Sequence, residues 1–379
     1  NHEEDVHSEH EEKQHDDHDD KHKPEHSEHK GDENSAESEE PGHDKLHSGP
    51  EPHELAIGTS IEADNYINTL RTKGLDSAMN RNYIVPGTFI EYTYKGIENL
   101  TMIAGFRADF HNQHGTFLTP RFNVKYNINQ NTAFRVSAGK GYRVPDIIAE
   151  NAELLASSRS LTIRENIDPE EAWNYGINIS SDVEVFSKLF SVNAEYFRTD
   201  FQNQLIVDLE QSQDEIHFYN LNGESYSNSF QVDVGFDLFE RLELLLAYRL
   251  TDVKGTIDGQ LQDKYLVSRH KSFLNVIYTT ESESWSFDIT GVYNGGGNLP
   301  STVINDNDGK FPGYFTMLGQ ITKRFGDLEF YLGAENLTGF TQANPIIGYE
   351  DPFSGQFDTS FIWGPLTQQK YYLGMRWTM

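Results

Sequence analysis

Cysteine is missing from all 379 residues, so neither a disulfide framework nor a thiolate metal site is available, and the chain tolerates an oxidising compartment. No run of about 18 apolar residues occurs either, which excludes a helical membrane protein. The chain has no charged-then-apolar leader and does not begin with Met, so the true N-terminus is expected to lie upstream. Positive charge is scarce, with 30 Lys and Arg against 60 Asp and Glu and a formal net charge of -30. Without a basic stripe for phosphates, a nucleic-acid partner is not expected. No G-x-S-x-G, H-E-x-x-H, P-loop or thiol nucleophile is present, and the chain reads as a non-enzyme.

What the sequence does have is concentrated at its start. Residues 1–54 hold twenty acidic against five basic residues and eleven of the fifteen histidines: His2, His7, His10, His15, His18, His22, His26, His29, His43, His47 and His53. Imidazole suits Zn²⁺, Cu²⁺ and Ni²⁺, and interspersed carboxylates raise the local cation concentration or complete a coordination sphere. His7/His10, His15/His18 and His26/His29 stand three apart, a chelating spacing wherever a turn forms. Pro24, Pro41, Pro50 and Pro52 interrupt helices, and apolar residues are too few to offset chain entropy, so disorder is expected over 1–54. A solvated acidic spacer is the competing reading. Residues 55–82 read as a continuation of this loop.

From about Tyr83 to Met379 the pattern alternates with period two. Leu100, Met102, Ala104, Phe106, Ala108 and Phe110 share one face, and Thr101, Gly105, Arg107 and Asp109 the other. Phe230 to Leu238 and Trp285 to Ile289 alternate likewise. Ten-residue strands exceed the usual length in soluble sandwiches and match tilted strands crossing a bilayer. The 24 Phe, 19 Tyr and 4 Trp suit interfacial girdles. Short connections, as at Lys95–Asn99 and Phe325–Asp327, alternate with long polar ones, as at Gly141–Ala172 and Leu337–Gln369, the pattern of periplasmic turns and outer loops. The fold class is thus all-β, a transmembrane antiparallel β-barrel of about thirteen strands. Because single-chain bacterial barrels usually have an even number, this odd count reads as a larger barrel cut inside an outer loop.

The stretches Gly139–Asn151 and Leu154–Arg159 resemble the strand-to-loop segment of TonB-dependent outer-membrane receptors, particularly those of Bacteroidota. Pro86–Tyr92, Ala104–Asp109, Thr119–Phe122, Pro169–Gly176, Gly333–Leu337, Asn344–Pro345, Asp351–Phe353 and Trp363–Pro365 resemble the same family in the same order. The final strand resembles the terminal barrel-assembly signal, although Met379 stands where an aromatic residue is usual. The resemblance implies the C-terminal part of a 22-stranded barrel, with the plug domain absent from this chain. It also implies multi-pass residence in the outer membrane of a Gram-negative bacterium, and partnership with lipid, the plug, TonB and its inner-membrane motor complex.

Two candidate sites fall within the barrel region. His111 and His114, near Asp109, have a His-x-x-His spacing suited to a captured metal; a polar loop is the alternative. Tyr142, Arg143, Asp146, Glu150, Asn151 and Arg159 lie in the most family-like loop, as ligand or plug contacts or as ion pairs that fix it. The leading functional reading is TonB-dependent import of a scarce metal ion or complex, with the His-rich segment as an outer antenna for Zn, Cu or Ni and no required cofactor. Two alternatives stay open: a siderophore or haem importer with an inert acidic loop, and a passive barrel or surface metal-sequestering protein.

Overall fold

The computed structural model describes residues 52–72, 75–302 and 309–378. The expectations for 1–51 fall outside them. In chain order the strands are β1 (His53–Thr72), β2 (Leu75–Ile97), β3 (Leu100–His111), β4 (Gly115–Asn129), β5 (Thr132–Arg143), β6 (Ser160–Ile163), β7 (Glu170–Val185), β8 (Lys188–Asn203), β9 (Leu205–Asp208) and β10 (Glu215–Asn220). They continue as β11 (Ser225–Phe239), β12 (Leu242–Ile257), β13 (Gln260–Asp263), β14 (His270–Thr279), β15 (Trp285–Asn294), β16 (Gly297–Asn298), β17 (Lys310–Phe311), β18 (Tyr314–Phe325), β19 (Leu328–Glu335) and β20 (Lys370–Trp377). A 3₁₀ segment, Ala149–Ala156, lies between β5 and β6.

One antiparallel meander contains β1-β2-β3-β4-β5-β7-β8-β11-β12-β14-β15-β18-β19-β20, with β13 added beside β12. Its path has fourteen strands among the described residues, where thirteen were expected. The additional one is β1, which lies where the sequence reads as loop over 55–82. β1 and β2 pair continuously from His53↔Tyr94 to Thr72↔Leu75. Leu55, Ile57 and Ile61 alternate with Gly58, Ser60 and Glu62, but the small residues and the adjoining acidic run mute that period. The three apolar side chains are exposed.

Register separates two faces. Leu242, Tyr278, Phe287, Ile321, Leu332 and Leu373 are successive cross-strand partners from β12 to β20. Tyr278, Phe287, Ile321, Leu332 and Leu373 are all exposed, as suits a surface whose solvent is lipid. On the other face, Arg135, Asn178, Glu195, Gln231, Arg249, Lys271 and Asn294 are successive partners from β5 to β15. Hydrogen bonds knit this polar face: Arg135 to Asn178 at 2.9 Å, Asn178 to Asn193 at 2.7 Å, and Asn275 to Asp288 at 2.6 Å.

Two-residue turns at Glu98–Asn99, Gln130–Asn131, Phe186–Ser187, Glu240–Arg241 and Gly326–Asp327, and the longer Thr280–Ser284 turn, close one end. Phe186 and Ser187 both take positive φ, at 52° and 60°, which a two-residue hairpin matching strand twist demands. At the other end the long connections form structure of their own. Ile147, Leu154, Leu161, Leu209, Ile216, Phe218, Leu299, Phe311 and Phe361 pack into a buried core. This core contains the small sheet β6-β10-β9, in which β10 runs parallel to β6 and antiparallel to β9. Within Gln202–Ser225, β9 and β10 are members of this cap. Ile289 stands mid-strand on the exposed apolar face, and Gln320 faces the polar side. Ile289→Arg is expected to cost roughly 2–4 kcal/mol and Gln320→Arg far less, read by urea unfolding in lipid vesicles.

Candidate functional site

The loop following β5 is built from the residues singled out in the sequence, and each is engaged. Arg143 pairs with Glu150 at 2.8 Å and Glu170 at 2.5 Å. Asp146 accepts the backbone N–H groups of Ile148 and Ala149 at 3.1 and 3.0 Å, just ahead of the 3₁₀ segment, while Glu150 accepts the Asp146 N–H at 2.8 Å. Asn151 donates to the Ile147 carbonyl at 2.9 Å. Tyr142, at the end of β5, stacks on Phe117 with centroids 3.9 Å apart and planes 8° from parallel. These contacts draw β4, β5 and β7 to one outer rim.

Arg159 reaches across to the last long connection. Its Nε stands 2.8 Å from Asp358, with both side chains more than nine-tenths buried. The guanidinium lies 5.0 Å from the Phe361 ring centroid and donates to Thr302 at 3.3 Å. Beside this pair, Ser158 Oγ donates to the Gly355 carbonyl at 2.7 Å. Asp358 was not anticipated, since its importance comes from a partner distant in sequence. Asp208 was missed too: fully buried, it accepts the Tyr219 hydroxyl at 2.9 Å. A carboxylate set between Ile206 and Leu209 was its sole signal. Burial, together with the Asp208 contact, pushes the Tyr219 phenol up to about 12. Tyr265 is raised likewise, by burial and then by its hydrogen bond to Glu210. A cavity of about 330 Å³ opens beneath, lined in part by Glu150, Leu154, Ile206, Tyr265, Leu266 and Ser360.

His111 and His114 do come together, with ring centroids 4.7 Å apart and Tyr83 4.7 Å from His111. Their ring nitrogens are not arranged as a cage. His111 Nδ1 accepts the backbone N–H groups of Gln113 and His114 at 3.1 and 3.2 Å, and Asp109 is held by Arg107 at 2.6 Å. Among the described residues, no group of three or more His, Asp or Glu is placed to hold a metal ion. His53 stands far along β1 from this tip, with Nδ1 2.5 Å from the Tyr92 hydroxyl. The other ten candidate histidines, His2 to His47, lie outside the described residues.

Two outcomes follow from these contacts. Asp358→Asn, which leaves Arg159 buried without a counter-charge, is expected to cost the cap roughly 3–5 kcal/mol, and Arg159→Met with Asp358→Leu to recover much of it; hydrogen exchange across Ser157–Ile163 reads both. Burial holds His114 below the ordinary histidine value, with Asp168 opposing the shift and Arg81 adding to it. A depressed folded value means that the stabilisation is complete above the unfolded value of about 6.5 and is lost as pH falls below it. Amide exchange at Asn112–Gly115 is therefore expected to accelerate on acidification, and His114→Gln to flatten that response.

The chain matches the family model "TonB dependent receptor-like, beta-barrel" over residues 42–337. No curated protein sequence matches it. Among solved structures, a mutant ferric enterobactin receptor PfeA of Pseudomonas aeruginosa is 13% identical with TM-score 0.61, over 86% of this chain and 51% of that one. The siderophore receptor PirA of Acinetobacter baumannii is 14% identical with TM-score 0.63, over 86% and 52%. The copper transporter OprC is 13% identical with TM-score 0.62, over 87% and 54%. The chain thus spans about half the length of these structures. With its two-faced meander, short turns at one end and structured loops at the other, the chain belongs to the TonB-dependent receptor β-barrel family of the Gram-negative outer membrane.

Proposed function

We propose that the protein imports a scarce metal ion or metal complex across the outer membrane, driven through TonB and its inner-membrane motor. The observation that carries this reading is a receptor-family barrel sheet joined to a segment with ten histidines before Pro52. Zn²⁺, Cu²⁺ and Ni²⁺ are the cargo that imidazoles interspersed with carboxylates favour. Repeated weak sites raise local ion concentration and still let ions go, which suits transport better than one tight cage. OprC, described as a copper transporter, lends the same fold to this reading.

An importer for a ferric chelate or haem, with the acidic segment inert, is the second reading. It is favoured by the fold shared with the siderophore receptors PfeA and PirA. Haem ligation needs one or two well-placed histidines, whereas this segment repeats many equivalent ones.

Uptake of ⁶⁵Zn²⁺, ⁶⁴Cu²⁺ and ⁵⁵Fe-siderophore, measured in cells with and without the full-length protein, separates the readings. Energised uptake of zinc or copper, abolished by a protonophore, is the expected result. Uptake of the iron chelate alone selects the second reading, and flux indifferent to the protonophore identifies a passive barrel.

A further inference from the structure

Across the sheet, cations of this acidic chain are matched by carboxylates, as in Arg107–Asp109, Arg143–Glu150, Arg198–Asp200 and Arg324–Glu329. Five cations near the far end of β12 and β14 are not. Short turns mark the periplasmic end of an outer-membrane barrel, so this end, where the pairing of β12 with β14 stops at Leu250↔His270, is the outer one. Arg249 and Lys271 are direct cross-strand partners on the polar face. The Thr251 N–H donates to the Arg269 carbonyl at 2.8 Å, which carries the ladder one step outward and, by strand alternation, sets Arg269 on the face of Lys271. Lys264 and Lys310 join Arg269 around a cavity of about 330 Å³ whose wall includes Gly296, Gly297 and Phe311. All five cations are exposed, and none makes an ion pair among the described residues.

Like charges directly opposite on paired strands are destabilising, and the repulsion between Arg249 and Lys271 is left unrelieved. Two carboxylates also border the cavity, but both are engaged elsewhere. Asp263 meets Lys254 at 3.6 Å and accepts from Asn298 at 3.2 Å, and Asp252 accepts from Asn228 at 3.3 Å. With 60 acidic residues against 30 basic ones, five unpaired cations gathered at one place run against the composition of the chain. The backbone beneath them is tightly packed: a Cβ on Gly297 would stand 2.4 Å from the Val267 carbonyl oxygen.

From this arrangement we infer that the outer end of β12 and β14 is a binding site for a small soluble polyanion bearing carboxylate or phosphate groups. Its place on the interior face keeps it out of reach of lipid headgroups. Guanidinium and ammonium donors here gain charge-assisted hydrogen bonds when such a ligand arrives, and its charge relieves their repulsion. A bare divalent cation meets its own sign at this wall, so metal passing it travels inside a complex of net negative charge. The anion follows from the cations alone; that it carries a metal rests on the import reading.

Full-length protein in detergent, freed of lipid phosphate, is titrated calorimetrically with citrate and with pyrophosphate. Saturable binding of at least one is expected, and Arg269→Gln combined with Lys310→Gln is expected to weaken it about tenfold. Lys125→Gln, lower on the same polar face opposite Arg135, is expected to leave it unchanged. Lys271→Gln gives a second readout. With the repulsion removed, amide exchange at Leu250 and Thr251 in the ligand-free protein is expected to slow, whereas loss of a structural cation would speed it. No saturable binding of either anion, equal binding by the double variant, or faster exchange in Lys271→Gln overturns the site. Zinc citrate is expected to compete with citrate; failure to compete breaks the link to metal import while the anion site stands.

Discussion

In hydrocarbon, no water is available to pair a backbone N–H or carbonyl, and every consequence of this fold descends from that constraint. The continuous antiparallel ladder from β1 to β20 satisfies those groups between neighbouring strands, with the outer edges of β1 and β20 unpaired among the described residues. Once the ladder exists, side chains alternate inevitably. One set meets lipid, and the other lines a polar interior where Asn, Asp, Arg and Gln hydrogen-bond across neighbouring strands. The barrel strands consequently need little conventional core, and the buried apolar cluster belongs almost wholly to the outer connections.

That division explains what the sequence made legible. Long alternating strands such as β3, β11 and β15 declare themselves by local periodicity, and the short turns by their position between two such strands. β1 was obscured because Ala56, Gly58 and Ser60 give a weak contrast beside an acidic run. The cap was obscured for a different reason. β6 and β9 have four residues each, and β10 lies parallel to a strand more than fifty residues earlier. No local pattern encodes such a pairing.

The candidate loop was visible as a location and invisible as a mechanism. Arg143, Asp146, Glu150 and Asn151 are near one another in sequence, so their mutual contacts are local and anticipated by turn chemistry. Arg159 depends on Asp358, and Tyr219 on a buried Asp208, neither of which has a distinctive neighbourhood. Conversely, the His-x-x-His spacing suggested a ligand pair, while the folded turn uses His111 Nδ1 to satisfy two backbone donors. Geometry gives that nitrogen a structural role.

The bond from Ser158 to Gly355 joins residues 197 apart, beside the Arg159–Asp358 pair. Closing so long a connection while it is unstructured carries a loop entropy that the intervening barrel strands remove once they are paired. The cap's long-range contacts therefore cost less chain entropy once the wall beneath them is paired. The cap has a core of its own, distinct from the ladder of the wall, so the outer mouth and the wall are held by different interactions.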